Sequence, residues 1–261
     1  MYLFFIKKNF FDGWDNMLLL FIVNLVMLAA VAVLLTLIYA VRNVMPLVIA
    51  LIVASGMIMS LFVFAFGYSA ANIANFESAH IADYFKAIPR CIKDALFFGM
   101  LLGAIAAASY VCIPFYFAQQ SMIGVFLGAM FTWLVVFTLL ALQWFVALRS
   151  LLHDNFKKCL KKCFLIFFDN VGFSVFMVFY TAVLVAISVF TMGTIPSASG
   201  ITLARVNALR LRLYKYDYLD AHRELTAEKE RRRIPWDELL RDDKELAGSR
   251  SFKSFIFPWK D

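Results

Sequence analysis

Long stretches of apolar residues dominate the chain, and short polar corners separate them. Five of these stretches, residues 17–41, 44–71, 95–118, 122–148 and 171–195, exceed the roughly 20 residues that a helix needs to cross a bilayer. A spanning segment must satisfy its backbone hydrogen bonds internally, which favours helices. We therefore predict an all-α fold, a polytopic integral membrane helix bundle with five clear spans, a short sixth and interfacial amphipathic helices.

The short sixth segment, residues 197–213, is apolar but is interrupted by Arg205, Arg210 and Arg212. Its most apolar part, residues 201–213, would form a helix of about 20 Å, which is short of a hydrocarbon core of about 30 Å. Arg205 is the one charge at possible membrane depth. It is either an end residue that snorkels to the interface or a functional intramembrane charge.

A basic amphipathic helix is predicted between the fourth and fifth spans. Lys157, Lys158, Lys161 and Lys162 recur at i, i+1, i+4 and i+5, so they share one helical face, and apolar side chains fill the other. We expect this helix to lie in the membrane interface with its lysines among anionic headgroups. By the positive-inside rule, this loop is cytoplasmic.

A second amphipathic helix is predicted in the loop before the third span. Its apolar stripe consists of Ile81, Tyr84, Phe85, Ile88 and Ile92. Off that stripe lie Lys86, Arg90 and Lys93, which we assign to the interface together with the four lysines above. Pro89 favours a kink or a break in this helix.

The spacing of acidic residues suggests an internal repeat. Asp15, Asp94 and Asp169 each stand before a span, 79 and 75 residues apart, and each follows basic residues. We interpret residues 1–213 as a transmembrane domain of three units, each a basic helix, an N-capping Asp or Asn, a span and a returning span. The alternative is that any polytopic protein shows basic loops at such intervals.

Small residues four apart predict close packing between spans. The pairs are Gly56 with Ser60, Gly67 with Ala71, and Gly99 with Gly103. The two-residue corner at 42–43 requires the first and second spans to be antiparallel neighbours.

Composition supports a membrane protein, since 63% of the 261 residues are hydrophobic and only 16% are charged. Residues 214–261 contain 11 basic and 11 acidic residues, so the net charge of +7 belongs to the membrane part. Lysines that flank spans account for this charge, and nucleic acid is not an expected partner. The N-terminus and the charged C-terminal tail are both expected to be cytoplasmic.

The tail is predicted to contain a charged helix at residues 221–233 and two Pro-Trp pairs. The aromatic cluster at residues 254–260 has three open interpretations: it returns to the membrane interface, docks on the protein's own basic loops or binds a partner. Five spans would export the tail, whereas a sixth returning segment keeps it in the cytoplasm and places Ser197 on the outer side.

Candidate chemistry is sparse. The four cysteines and three histidines form no metal, redox or catalytic motif, so we expect no catalytic residue, no cofactor and no metal, and predict that the protein is not an enzyme. The five clear spans contain no ionisable residue, which argues against a proton-coupled transporter. A channel or an uncoupled carrier stays open, with Pro46 and Pro114 as candidate helix breakers.

Two passages resemble a known family. Residues 66–71 (FGYSAA), 84–93 (YFKAIPRCIK) and 96–99 (LFFG), and the basic helix at residues 152–167, are similar to the YesL-like family of bacterial polytopic membrane proteins. The resemblance implies a location in a bacterial cytoplasmic (inner) membrane. It also implies an accessory or assembly role, linked to carbohydrate uptake, with a membrane protein or transporter complex as partner. It supplies no site residues and no oligomeric state.

Overall fold

The computed structural model describes residues 1–119, 121–222 and 234–248, in which all regular structure is helical. The helices are α1 Tyr2–Asp15, α2 Met17–Ala40, α3 Met45–Ala74, α4 Ile81–Ala118, α5 Met122–Leu142, α6 Phe145–Leu152, α7 Phe156–Asp169, α8 Val171–Phe190, α9 Ser197–Ala221, α10 Trp236–Leu239 and α11 Arg241–Leu246. The predicted all-α polytopic bundle is confirmed.

Five helical segments of the described residues are long and apolar enough to cross a membrane. They are α2, α3, α4, α8 and the nearly continuous Met122–Leu152, which contains α5 and α6. These match the five predicted spans. Pro46 marks a helix start, since it stands in the first turn of α3, whereas Pro114 lies inside α4.

The second amphipathic helix and the third span are one element, which corrects the sequence analysis. Helix α4 runs unbroken through Pro89, so the predicted break is wrong. Asp94 therefore lies within a helix and is not an N-cap; Asn16 and Asn170 do occupy the N-cap positions of α2 and α8, without a capping side-chain hydrogen bond. A proline removes one backbone hydrogen bond, and the buried side chains on both sides of Pro89 hold the helix together.

The buried face of α4 is also rotated from the predicted stripe. Tyr84, Ala87 and Cys91 are buried, whereas Phe85 and Ile92 of the predicted stripe are exposed. Side chains that point towards lipid and side chains that point towards a protein core are equally apolar, so periodicity alone does not separate them.

The predicted short sixth segment is the central helix of the fold. Helix α9 has 25 residues, not 13, and its buried residues cover every face: Ser199, Gly200, Thr202, Leu203, Ala204, Val206, Asn207, Ala208, Leu209, Leu211 and Arg212. It contacts α1, α2, α3, α6 and α8. The domain boundary placed at residues 213/214 falls inside this helix.

Close approach of helices occurs at two of the predicted small residues. A Cβ on Gly99 would lie 2.8 Å from the Cα of Met57, and a Cβ on Gly67 would lie 2.4 Å from Ser150 Oγ. The Gly99 contact joins α3 to α4. The same two helices are joined by Ser60 Oγ, which donates a hydrogen bond of 2.9 Å to the carbonyl of Ala95. A Cβ on Gly103, by contrast, would meet no atom within 4 Å.

The turn between α8 and α9 packs against the first half of α2. Asn24 Nδ2 donates to the carbonyls of Thr194 and Pro196 at 2.7 and 2.9 Å, and its Oδ1 accepts from the backbone N–H of Ser199 at 3.0 Å. Asn24 is the eighth residue of the 24 in α2. The α8–α9 hairpin therefore meets that span about a third of the way along its length.

The two ends of the described chain lie together. Lys7 Nζ donates to the carbonyl of Gly248 at 3.3 Å, and Asp243 pairs with Arg210 of α9. Of the predicted charged helix at residues 221–233, residues 223–233 lie outside the described residues, as does the aromatic cluster at 254–260. The N-terminal helix and residues 234–248 therefore occupy the same end of the molecule.

Candidate functional site

The lysine helix forms as predicted. In α7 the buried residues are Cys159, Cys163, Ile166 and Phe167, while Lys157, Lys158 and Lys161 are exposed. Lys162 is partly covered, because its ammonium pairs with Asp154 just before the helix. One face of α7 is thus packed against the protein and the other is free to meet headgroups; its place in the interface stays a prediction.

The second basic surface lies on α4, where Lys86, Arg90 and Lys93 are all exposed. Beside it, Arg149 Nε donates to Asp94 at 2.7 Å and joins α6 to α4. Phe97 of α4 and Phe156 of α7 are in edge contact, with ring centroids 6.0 Å apart. The structure therefore brings the two predicted basic surfaces into one region.

A buried polar network that the sequence analysis missed joins α1 to α9. Lys8 Nζ lies 2.7 Å from Asp12 Oδ2, and this carboxylate also accepts a hydrogen bond of 2.9 Å from Asn207. The ammonium lies 3.9 Å from the ring centroid of Phe76. Burial lowers the pKa of Lys8 and raises the pKa of Asp12, because both groups leave water, and their mutual attraction opposes each shift.

Residues 234–248 are held by a second network. Arg210 donates to both carboxylate oxygens of Asp243, at 2.5 and 3.1 Å, and Tyr214 donates to the same group at 3.0 Å. The Arg212 guanidinium lies 4.0 Å from the ring centroid of Phe173 and 5.5 Å from that of Trp236. This cation–π contact gives the first Pro-Trp pair a packing role.

Arg205 lines an apolar cavity of about 450 Å³. The other lining residues come from α3, α4, the end of α5 and α6, and are Gly56, Met59, Ser60, Val63, Phe64, Phe98, Leu102, Leu139, Leu142, Gln143 and Val146. The buried Nε of Arg205 has no hydrogen-bond partner, and no ion pair to this guanidinium is present among the described residues. A cation thus faces an apolar space without a counter-ion.

The polar residues of the cavity wall are engaged elsewhere. Ser60 donates to Ala95, and Gln143 Nε2 donates to the carbonyls of Leu140 and Ser174 at 2.8 and 3.3 Å. Arg205 is therefore the only charged residue of the lining. The sequence analysis identified this residue as a possible intramembrane charge, but not the cavity around it.

The histidines are separated in space as well as in sequence. His80 and Asp83 form a capping box at the start of α4, His153 stacks on Tyr68 at the end of α6, and His222 follows α9. In the described part of the chain, no group of three or more His, Cys, Asp or Glu is arranged to hold a metal ion.

No protein-family model matches the chain, and neither the curated proteins nor the solved structures searched contain a match. The helices alone define the class: this is a multi-pass, all-α membrane protein.

Proposed function

We propose that the protein is a non-enzymatic accessory or assembly protein of a bacterial cytoplasmic membrane, linked to carbohydrate uptake. It acts through helix packing in the bilayer and through its cytoplasmic end. The supporting observation is the way the membrane-embedded polar groups are used. Asn24, Ser60 and Gln143 hydrogen-bond to neighbouring backbone, and Trp144 donates to Ser174 at 3.1 Å. These groups hold the helices together.

The outer surfaces of the spans are apolar and largely uncovered. In the most apolar 18-residue stretch of each candidate span, only 11–28% is buried within the protein. Large side chains such as Phe126, Trp133 and Leu134 of α5 are more than half exposed. Lipid or the helices of a partner must cover such surfaces, and in an assembly role part of this surface would contact the partner.

The cytoplasmic orientation is part of the proposal. The end where α1 meets residues 234–248 contains Lys7, Lys8, the α4 basic surface, α7, Arg210 and Arg212. The opposite turns, residues 41–44 and 119–121, contain one charge, Arg42. The positive-inside rule places the basic end in the cytoplasm, with the tail.

The test is co-purification of the tagged full chain from native membranes after mild cross-linking. We expect a membrane transporter complex to be retained in a fixed ratio. A variant with Phe126→Ala and Leu134→Ala on α5 should lose it if α5 is the contact, and Leu35→Ala with Tyr39→Ala on α2 is the matched control.

The alternative is a transporter or channel subunit without a proton-coupling acid, which the Arg205 cavity favours. Vesicles containing only the purified chain distinguish the two functions. Solute flux that depends on the chain and needs no partner would refute the accessory role, and the absence of any fixed-ratio partner would do the same.

A further inference from the structure

We propose that the Arg205 cavity binds a phospholipid with a monoanionic phosphodiester headgroup: the guanidinium pairs with the phosphate, and the apolar walls hold one acyl chain. This inference is independent of the accessory role. Arg205 is half-buried and its Nε is fully buried without a partner, so an anion bound at this position would stabilise the protein. The volume of about 450 Å³ lies in the range of small-ligand sites.

The composition of the wall selects the kind of anion. A free phosphate carries up to two negative charges, and a single guanidinium would leave charge unpaired in an apolar space. A phosphodiester carries one, which Arg205 neutralises with two parallel hydrogen bonds from its planar fork. The remaining surface, with Met59, Leu102 and Leu139 among its residues, matches a hydrocarbon chain.

The depth of the cavity also suits a lipid. Phe98 and Leu102 stand near the start of the third predicted span, and Leu142 stands at the end of α5, so the cavity lies in the half of the membrane next to the basic end. Arg205 is five residues, or about 8 Å along the helix, from Arg210 of the ion-paired basic end. A headgroup at that end and a chain pointing into the bilayer would therefore occupy the cavity in their normal orientation.

The test measures the thermal unfolding midpoint of the purified full chain in a neutral detergent, titrated with dioleoylphosphatidylglycerol. We expect a saturable rise in the wild type. Arg205→Met should weaken lipid binding about tenfold or more, because charge-assisted hydrogen bonds to the phosphate are lost. Without lipid, Arg205→Met should unfold no earlier than the wild type, since an unpaired buried cation is removed.

A second variant tests the acyl-chain part without changing charge. Gly56 lines the cavity, and a Cβ at this position would meet no atom within 4 Å, so Gly56→Leu adds apolar volume at the cavity wall without a clash at its Cβ. Gly56→Leu should weaken lipid binding to a similar degree. Lys157→Gln, an exposed lysine of α7, is the control for non-specific attraction and should retain wild-type binding.

Three outcomes would overturn the proposal. Equal stabilisation of the wild type and Arg205→Met would show that the lipid acts elsewhere. A shift with inorganic phosphate alone as large as that with the lipid would make the site one for a free anion. An equal shift with dioleoylglycerol would show that only the apolar walls matter.

Discussion

The molecule has two halves that differ in how they are stabilised. In the half near the basic end, buried residues are dense: they occupy Leu19–Met27 of α2, Ser60–Ala74 of α3 and Tyr84–Gly99 of α4, around α9. In the outer half, the hairpins α2–α3 and α4–α5 leave most side chains exposed. Met122 and Ile123 are 92% and 72% exposed.

The difference indicates which half carries the specificity of the fold. At the basic end, ion pairs and polar networks fix the positions of α1, α9 and residues 234–248. In the outer hairpins, packing rests on contacts within each pair and on the surrounding lipid. We expect the basic end to be sensitive to single substitutions and the outer surfaces to tolerate apolar changes, unless a partner covers them.

The largest expected effect concerns the side of the membrane on which the C-terminal tail lies, because a reporter on the tail is either active or inactive. A reporter enzyme that functions only in the cytoplasm should be active when it is fused after Asp261. A reporter that functions only outside the cytoplasm should be inactive at the same position. Activity restricted to the outer side would refute the placement of the tail and the shared side of the two ends.

The α8–α9 turn sharpens the same test. Because it meets α2 at Asn24, we expect a cysteine at Met192 to react poorly with an impermeant maleimide added outside, in a chain whose native cysteines are replaced. A cysteine at Ser121, in the outer turn before α5, should react readily. Equal labelling would favour the complete sixth crossing that places Ser197 outside.

The buried pair at the basic end gives the next largest effect. The Lys8 side chain is fully buried against Asp12, so Lys8→Met leaves a buried carboxylate without its cation. We expect a loss of about 3–5 kcal/mol in unfolding free energy. Denaturant unfolding in detergent would measure it.

The control is the double variant Lys8→Met with Asp12→Asn, in which both charges are removed. Replacing a whole buried pair is often neutral, so stability should largely return. If the double variant were as unstable as the single one, the loss would come from packing of the lysine stem and not from the uncompensated charge.

The lysine surface of α7 is expected to contribute through lipid. Replacement of Lys157, Lys158, Lys161 and Lys162 by glutamate removes about 1 kcal/mol of attraction to anionic lipid for each lysine. Weaker insertion or a disturbed orientation of the flanking spans should follow, measured by membrane level and protease protection. The same four positions changed to arginine are the control. Unchanged topology and level in the glutamate variant would contradict an orienting role.

The spans were predictable because a long apolar run in a bilayer must form a helix. The lysine face of α7 was predictable because charged and apolar residues alternate with helical spacing. The full length and central position of helix α9 were not predictable, since a helix buried on all faces has no amphipathic period. Its Gly200, Ala204 and Ala208, each four residues apart, were the available signal for close packing. The cavity around Arg205 is lined by five helices, α3, α4, α5, α6 and α9, most of them far apart in sequence, and no local pattern reveals such a site.

Close contact between α3 and α4 is tested by a matched pair of glycines. Gly99→Ala places a Cβ 2.8 Å from the backbone of Met57, and backbone cannot move aside cheaply. We expect about 1–3 kcal/mol of destabilisation, from overpacking. Gly103→Ala, where the Cβ meets no atom within 4 Å, should be neutral or slightly stabilising. Equal effects of the two variants would show that α3 and α4 are not in close contact at Gly99.

The smallest effect concerns acid. Burial alone would raise the pKa of Asp169, but hydrogen bonds from Lys215 and Tyr216 outweigh it and lower this pKa. An acid whose pKa falls on folding adds stability above its unfolded value, near 3.9, and loses it as the pH drops through the folded value. The side chain is half exposed, so the contribution should stay below about 1 kcal/mol. Asp169→Asn should therefore flatten the pH dependence of the unfolding midpoint below about pH 4. Asp237→Asn is the comparison: Lys244 also lowers the pKa of Asp237, but this pair is more exposed to solvent, so the change should be smaller. A wild-type midpoint that falls no faster in acid than that of Asp169→Asn would show that α9 is not held to the start of α8 by this carboxylate.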